Sequence, residues 1–334
     1  MNENIRVSYS MLSTFRNCRK ACKYRYNDGL KPLETPKALR YGSMAHAALE
    51  KFHLTKDVNQ VSEYIKNYYE TRPELDSSEY IITKAMLSGY CDKYKEEDFE
   101  TIWVEKDFEG PIIDMKTYDP IPGVVMVGKI DGLIRKKETG EYWLLENKTA
   151  AKIDGNYLDK LWIDFQIIMY CYYLKKVFNI ECKGILYNVI LKCNLKREEG
   201  ESEQDFKDRH ALACAKNKSG KSNIKRKEPE DLASFEARVN EFYRNPECYH
   251  REDIYISRAN QKRVITEISE LTKAYISCVK RGVWYLNTDH CFRWGRPCEY
   301  YPICKSGENQ NIIDNYYKKS NRVNLYTLDA EEIL

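Results

Sequence analysis

The amino-acid sequence predicts an α/β fold in which helices flank a central mixed β-sheet. Residues 123–135 and 141–149 are apolar, strand-like runs that follow one another closely. A long amphipathic helix is predicted over 157–178, and a further strand over 183–193. Strands followed by a crossover helix and another strand indicate a mixed sheet with helices on its faces.

Helices are predicted to precede this sheet. Residues 8–27 place apolar side chains three or four positions apart, and Ser8 or Ser10 can cap the helix that this spacing predicts. Glycine and proline in 29–38 predict a loop. The other helices predicted before the sheet cover 40–55 and 61–97.

Strand-like alternation begins near Thr101 and returns at 111–118. Residues 194–228 are polar and charged, which predicts an insertion with partial helix. The elements predicted after it are a helix over 229–244, a strand over 252–258 and a helix over 261–281. We therefore expect one domain over 1–306, with a charged, helical insertion at 194–250, a Cys-rich C-terminal loop and a polar tail at 307–334.

The composition is that of a soluble globular protein, with 43% hydrophobic and 31% charged residues. No apolar run reaches the length of about eighteen residues that a membrane span needs. The N-terminal residues lack the basic-then-apolar pattern of a signal peptide, so we expect a cytoplasmic protein. The net charge of +3 is nearly neutral and gives no general argument for a nucleic-acid partner.

The most informative residues are charged ones in two apolar runs. Asp131 lies in VVMVGKIDGLI, and Glu146, Asn147 and Lys148 lie in YWLLENKTA. Because burying an unpaired charge is costly, such charges usually bind something. Two carboxylates, with the main-chain carbonyl of Asn147 as a third oxygen, suit Mg²⁺ or Mn²⁺.

Lys148 shares a strand face with Glu146, so it can orient or activate an attacking water and offset charge on a phosphate. The whole set is that of metal-assisted phosphodiester hydrolysis. The alternative is an Asp-Gly turn at Asp131 and a surface ion pair between Glu146 and Lys148.

Two further patterns fit the same chemistry. Gln166 and Tyr170 are four residues apart on the helix predicted over 157–178, where they share a face and can position a phosphate or Lys148. His46, on an earlier predicted helix, adds a borderline metal ligand. Taken singly, these patterns are also typical of a helix surface and of a structural histidine.

The chain has twelve cysteines, and disulfides are uncommon in a reducing compartment. Cys291, Cys298 and Cys304 have the spacing C-x6-C-x5-C, which is close enough for one metal centre. Cys18 and Cys22 are the candidates for a fourth ligand. Four thiolates suit a [4Fe–4S] cluster or zinc, and the spacing does not separate the two.

Four segments, in this order, resemble motifs of the PD-(D/E)xK nuclease superfamily, and specifically of its RecB/AddB-like branch. They are YGSMAHAALE with His46, GKIDGLI with Asp131, LLENKTA with Glu146 and Lys148, and DFQIIMY with Gln166 and Tyr170. The resemblance implies a restriction-endonuclease-like core in which His46, Asp131 and Glu146, from the first three segments, bind a divalent metal. Lys129 and Ile130 precede Asp131, where the superfamily is named for a proline.

The same resemblance favours iron over zinc. The segment SYSMLSTFRNCRKACKYRY is similar to the opening helix of that branch. Members of it, including the related CRISPR-adaptation nuclease, hold a [4Fe–4S] cluster on one N-terminal and three C-terminal cysteines. The ligands implied here are Cys18, Cys291, Cys298 and Cys304, with Cys22 as the alternative to Cys18.

Such a cluster would join the N-terminal helix to the C-terminal loop beside a DNA channel. Arg293, Trp294 and Arg296, in the same loop, are the predicted DNA-binding set. An aromatic ring between basic residues can stack a base while its neighbours hold phosphates. Ordinary packing is the alternative for any single aromatic residue.

The resemblance implies a Mg²⁺- or Mn²⁺-dependent deoxyribonuclease, expected as an exonuclease on single-stranded DNA or DNA ends in recombination or repair. The alternative is a non-catalytic or partner-dependent DNA-binding adaptor in a helicase, recombination or CRISPR-adaptation complex. No G-x-x-x-x-G-K-[ST] motif occurs, so unwinding would need a helicase partner. The intact set of Asp131, Glu146 and Lys148 argues against an inactive nuclease.

Overall fold

The computed structural model describes residues 5–33, 37–217 and 221–320, apart from the side chains of Lys37, Ala38 and Trp294. The strands are β1 (Ile5–Ser8), β2 (Leu30–Pro32), β3 (Phe99–Ile113), β4 (Pro120–Lys136), β5 (Tyr142–Ala150), β6 (Cys182–Leu191), β7 (Tyr249–Tyr255) and β8 (Tyr317–Lys319). The helices are α1 (Tyr9–Asn17), α2 (Arg19–Cys22), α3 (Lys37–Thr55), α4 (Val58–Glu70), α5 (Ser77–Lys93), α6 (Gly155–Leu161), α7 (Phe165–Phe178), α8 (Glu203–Lys216), α9 (Leu232–Arg244), α10 (Arg258–Arg281), α11 (Tyr301–Lys305) and α12 (Gln310–Tyr316).

The main sheet has the strand order β1-β4-β5-β6-β7, and β3 pairs with β4 as well. The β1–β4 and β5–β6 pairs are parallel, and the other pairs are antiparallel. Helix-lined cores lie on both faces of this sheet. One contains side chains of α1, α7 and α10, and the other contains side chains of α3, α4, α5 and α9. The predicted α/β fold with a central mixed sheet is confirmed.

Strand β4 divides one of its edges between two partners. Its other edge pairs with β3 along most of its length. On the divided edge, β1 pairs with residues 124–127 and β5 pairs with residues 132–135. The stretch Gly128–Asp131 lies between these two ladders, so Asp131 is at a gap in the sheet where its side chain can take other partners.

The prediction of one continuous helix over 8–27 is wrong, because the helix is broken at Cys18. Ser8 caps α1 by accepting a hydrogen bond from the N–H of Met11, but the helix stops at Cys18, whose backbone is extended (φ −158°, ψ 115°). Helix α2 follows, and then a π-helical turn over Lys23–Asn27. Helical periodicity continues across the break, so the sequence pattern did not reveal it.

Two other predicted helices are each divided. In place of the single helix predicted over 61–97, the structure has two helices, α4 and α5, separated by a turn that contains Pro73. In place of the single helix predicted over 157–178, the structure has α6 and α7. The second helix begins after Asp164, whose side chain accepts hydrogen bonds from the N–H groups of Gln166 and Ile167.

The predicted insertion, 194–250, contains two helices of different character. Helix α8 buries none of its residues, whereas α9 packs Phe235, Val239 and Tyr243 against the core beside α5. The segment predicted as a polar tail is described as far as residue 320, where β8 pairs with β2 in a second, two-stranded sheet. Within the described residues, no helix has both the length and the apolar character needed to cross a membrane.

Candidate active site

A cleft opens where Asp131 interrupts the β4 ladder. It has a volume of about 490 Å³ and is lined by residues of α3, β3, β4, β5 and α7. The lining includes His46, Asp131, Lys148, Gln166 and Tyr170, which are five of the predicted site residues. These five residues come from four separate elements, α3, β4, β5 and α7, which the fold brings to one cleft.

Asp131 is held from two directions. Its Oδ2 accepts a hydrogen bond of 2.9 Å from the main-chain N–H of Asn147, and His46 Nδ1 lies 3.2 Å from the same oxygen. Burial opposes its ionisation, but the charge of His46 and its hydrogen bond hold the pKa of Asp131 below the ordinary value. Asp131 is consequently a carboxylate in the metal-free protein.

His46 lies on α3 with one-third of its side chain exposed to the cleft. Burial lowers the pKa of this imidazole, but the charge and hydrogen bond of Asp131 outweigh burial and raise the pKa to about 9. Without a metal, His46 is therefore a proton-bearing partner of Asp131 at neutral pH. A metal ion would have to replace that proton.

Glu105 on β3 is a site residue that the sequence did not predict. Val104 pairs with Gly132 and Lys106 with Ile130, which places Glu105 opposite Asp131. Ligand atoms of His46, Glu105 and Asp131 lie within 4.8 Å of one another, and these residues form the metal-ligating group found among the described His, Cys, Asp and Glu residues.

The backbone of Glu105 is left-handed, with φ of 46°. For a non-glycine residue this conformation costs about 1–3 kcal/mol and is concentrated at functional sites. The inward alternation of β3 changes phase just before this residue, because the register with β4 shifts between Thr101 and Trp103, so that Phe99 is buried at an odd position and Phe108 at an even one. An acid soon after that phase change is the sequence signal that could have indicated Glu105.

Lys148 and Glu146 form an ion pair in which Glu146 is buried and Lys148 reaches the cleft. Burial and the charge of Asp131 raise the pKa of Glu146 above its ordinary value, although Lys148 opposes this. Burial lowers the pKa of Lys148, but Glu146 and Asp131 outweigh burial and hold it above its ordinary value. Lys148 therefore stays protonated, which suits electrostatic stabilisation rather than proton abstraction.

Gln166 connects Lys148 to Tyr170. Its Oε1 accepts a hydrogen bond of 3.1 Å from Lys148 Nζ, and its Nε2 donates one of 2.9 Å to the Tyr170 hydroxyl. Gly128 allows Tyr170 to approach the sheet, since a Cβ there would lie 2.4 Å from Phe108 and 3.1 Å from Tyr170. The predicted pairing of Gln166 and Tyr170 on one helix face is thus used to orient Lys148.

The side chain of Asn147 points away from this group, as its strand position requires. Its Oδ1 accepts a hydrogen bond of 2.8 Å from Asn188 Nδ2, which also donates to the Tyr90 hydroxyl. Tyr90 in turn accepts from Arg251, and Arg251 makes a two-bond pair with Glu97. This buried polar chain supports β5 from behind the site.

The donors present fit a divalent metal. The imidazole of His46 and the carboxylates of Glu105 and Asp131 are groups of the kinds that Mn²⁺ or Mg²⁺ takes as ligands, and they lie close enough to hold one ion. Glu146 is fully buried, and its Oε2 has no hydrogen-bond partner among the described residues. An unpartnered buried carboxylate oxygen is costly, and a cation nearby would offset that cost.

Four of the predicted cysteine ligands meet elsewhere in the fold. Cys18, Cys291, Cys298 and Cys304 line one small cavity together. Cys22, the alternative ligand, is instead fully buried in the main core, with its Sγ 3.8 Å from the carbonyl oxygen of Met11. The break of the first helix at Cys18 is what turns that residue towards the C-terminal loop.

The spacing of these thiols bears on the choice of metal. In a tetrahedral zinc site the sulfurs would lie about 3.8 Å apart. Among the described residues, no three cysteine sulfurs lie within 4.8 Å of one another. Burial raises the pKa of Cys298 to about 11, and it also raises that of Cys304. In any set of three of these cysteines, at least two sulfurs are therefore farther apart than a tetrahedral zinc site places them.

Arg293 and Arg296 lie beside the cysteine cavity, where they line a depression with His290, Pro297 and Cys298. The main cleft shares no lining residue with this depression. The side chain of Trp294 lies outside the described residues. Arg293 and Arg296 therefore line a different depression from the cleft that contains Asp131.

A model of the PD-(D/E)XK nuclease superfamily matches residues 6–305, which is most of the chain. The chain belongs to this superfamily. Comparison with curated proteins gives no match. Membership in the PD-(D/E)XK superfamily indicates a nuclease, and the His46, Glu105 and Asp131 group agrees with a metal-dependent one.

Proposed function

We propose that this PD-(D/E)XK protein is a deoxyribonuclease that hydrolyses phosphodiester bonds with Mg²⁺ or Mn²⁺. The observation that carries the proposal is the hydrogen bond from Lys148 Nζ to Gln166 Oε1, at 3.1 Å, in the cleft that also contains His46 and Asp131. A partly buried, protonated lysine beside a group of residues that could bind a metal is suited to stabilising negative charge that develops on a phosphate.

Each residue has a separate role in this proposal. His46, Asp131 and Glu146 would hold the metal, with the main-chain carbonyl of Asn147 as a further oxygen, and Glu105 lies close enough to join them. When bound, the ion supplies the Lewis acidity that polarises the scissile phosphate. Lys148 orients the attacking water and offsets charge on the phosphate, while Gln166 and Tyr170 fix the position of Lys148.

We assign the chain to the RecB/AddB-like branch and infer an exonuclease that acts on single-stranded DNA or DNA ends in recombination or repair. The motif order supports this assignment. No nucleotide-binding loop of the G-x-x-x-x-G-K-[ST] type is present in the sequence, so a helicase would supply unwinding. The free thiols of the described cysteines are consistent with a cytoplasmic location.

We also infer a structural [4Fe–4S] cluster bound by Cys18, Cys291, Cys298 and Cys304. Support comes from the cavity that these residues line together and from their wide spacing. The cluster would tie α1 and α2 to the C-terminal loop that carries Arg293 and Arg296. A brown protein that contains iron and sulfide would support it, and a colourless, zinc-containing protein would contradict it.

The deciding experiment is cleavage of end-labelled single-stranded and duplex DNA with Mn²⁺ or Mg²⁺, comparing the wild type with Asp131→Ala. We expect cleavage by the wild type only, and the product ladder gives the polarity. If an intact, metal-loaded wild type does not cleave either substrate, the chain is better described as a DNA-binding adaptor of a helicase, recombination or CRISPR-adaptation complex.

A further inference from the structure

Lys129 is a cation of the cleft that the proposed reaction has not used. It is two residues before Asp131 on β4, so both side chains project from the same face of the sheet. Lys129 lines the cleft, and about one-third of its side chain is exposed. An exposed lysine next to a metal-ligating group is within reach of whatever anion occupies the cleft.

In the metal-free protein, Glu105 neutralises this lysine. Lys129 Nζ lies 3.5 Å from Glu105 Oε2. The same carboxylate belongs to the group with His46 and Asp131, whose ligand atoms lie within 4.8 Å. Two positively charged partners can therefore compete for the carboxylate of Glu105. One is the ammonium of Lys129, and the other is a metal ion held between Glu105 and the other two residues of the group.

The strained backbone of Glu105 supports a functional role for this placement. Its φ of 46° is unfavourable for a residue with a side chain, and a surface ion pair is too weak to require such strain. The conformation directs an acid of β3 toward Asp131, across the strand pair. Coordination of a metal ion by Glu105 would compensate for this strain.

We propose that Lys129 binds a phosphate of the nucleic-acid substrate and that Glu105 restrains it until the metal site is filled. When Glu105 turns to the metal, Lys129 loses its counterion in a cleft whose other lining acids are Glu50 and Asp131. Its charge is then available to a substrate phosphate. Substrate binding is thereby coupled to metal binding through one carboxylate. This inference rests on the proposed function and specifies how the same site takes its substrate.

The first test measures Mn²⁺ affinity by calorimetry, without DNA. Lys129→Met removes the competing cation, so Mn²⁺ should bind more tightly, by about fivefold if the ion pair has the strength of a typical exposed pair. A structural role for Lys129, in which it merely supports Glu105, predicts weaker binding instead. Unchanged or weaker Mn²⁺ binding overturns the proposal.

Matched variants exclude a general effect of lost charge. Lys273 is equally exposed and is paired with Asp114 at 3.1 Å, far along the chain from the cleft residues. Lys273→Met should leave Mn²⁺ affinity unchanged. Lys129→Gln serves as a second uncharged variant, and Lys129→Arg should retain the wild-type affinity.

The second test measures binding of a single-stranded oligonucleotide with and without Mn²⁺, in a Lys148→Met background in which we expect hydrolysis to be at least about 100-fold slower. Mn²⁺ should increase DNA affinity, and Lys129→Met should abolish this increase. In the presence of Mn²⁺, Lys129→Met should also lower the magnitude of the slope of log DNA affinity against log salt concentration by about 0.7, as expected for one phosphate contact on a single strand. An increase that persists in Lys129→Met overturns the inference.

The two proposals fail in different ways. If DNA binds neither to Lys148→Met nor to the double variant Lys148→Met with Lys129→Met, in the presence or absence of Mn²⁺, the proposed function has failed and this inference fails with it. If DNA binds and Mn²⁺ increases the affinity equally with and without Lys129, the nuclease assignment stands and only the role of Lys129 is wrong.

Discussion

Asn147 donates its main-chain N–H to the side chain of Asp131, with 2.9 Å between nitrogen and Oδ2. The regular ladder between β4 and β5 ends at Gly132 and Leu145, just before this bond. The carboxylate of Asp131 therefore takes the place of a backbone acceptor where the two strands separate. One side chain thus both joins the strands and presents a charge to the cleft.

Asp131→Asn should separate these two roles. The amide oxygen can still accept from Asn147, but the negative charge is lost. We expect cleavage to fall by about a thousandfold, because charge stabilisation through the metal is worth several kcal/mol. Asp131→Ala should lose the same activity and in addition about 1 kcal/mol of stability, since the N–H of Asn147 loses its partner. Cleavage assays and denaturant unfolding of both variants measure this, and wild-type activity in either contradicts the site.

Lys148→Met should reduce cleavage by about 100-fold to 1,000-fold while Mn²⁺ still binds, because an electrostatic contact to the developing charge is removed. Lys152 provides a control four residues away, since its side chain is mostly exposed and pairs with Asp154. Lys152→Met should cleave at the wild-type rate. Equal loss in the two variants would mean that the effect is not specific to the site.

Mn²⁺ affinity should rise as the pH rises from 7 to 9. In the metal-free protein, Asp131 outweighs burial and raises the pKa of His46 to about 9, and burial with the charge of Asp131 raises the pKa of Glu105 to about 7. Below these values a proton must leave before either group can bind the ion. Calorimetry in buffers of different ionisation enthalpy should detect proton release at neutral pH. An affinity that is independent of pH in this range would exclude His46 as a ligand.

The raised pKa of His46 also affects the metal-free protein itself. Because the pKa of His46 in the folded protein, about 9, exceeds the ordinary value of 6.5, the contact with Asp131 stabilises the fold fully below about pH 6.5. This contribution is lost as the pH rises through about 9. Mn²⁺ should therefore increase the melting temperature more at pH 9 than at pH 6.

Cys304→Ala should lose the iron and sulfide of the proposed cluster and lower the melting temperature. Cys22→Ala is the matched control, because Cys22 is fully buried but lies outside the cysteine cavity. It should lose stability through a small internal cavity, by about 1 kcal/mol, and keep its iron. Full iron content in Cys304→Ala would remove that residue from the ligand set.

Tyr90→Phe tests the polar chain behind β5. The hydroxyl of Tyr90 accepts hydrogen bonds from Asn188 and from Arg251, so its removal leaves buried donors unpaired. We expect a loss of about 1–3 kcal/mol in the free energy of unfolding. Tyr94→Phe keeps the ring that stacks on Arg251 at 3.5 Å and should change stability little. Equal effects of the two changes would argue against the chain of hydrogen bonds.

The parts of the site that could be predicted depend on local pattern. Asp131, Glu146 and Lys148 interrupt apolar strands, and Gln166 and Tyr170 have helical spacing, so each was visible within a short stretch of sequence. Glu105 was not visible, because its place opposite Asp131 depends on antiparallel pairing between residues 26 positions apart (131 − 105) and on a left-handed backbone.

The fold shows the same limit. Long strands such as β4 and β5 were predicted, whereas β1 and β8, of four and three residues, are too short to show a period. The breaks at Cys18 and Asp164 were missed because helical spacing continues through both. Tertiary requirements decide these breaks, since Cys18 turns to its cavity and Asp164 caps the helix that carries Gln166.

Among the places where the early and late parts of the chain meet are the cysteine cavity and the β2–β8 sheet. The insertion between β6 and β7 lies within the long loop that these joins close. A protease that cuts the backbone inside this insertion would produce two fragments that remain bound through the β6–β7 ladder and both joins. Such a nicked protein should run as two bands under denaturing conditions and as one particle in solution.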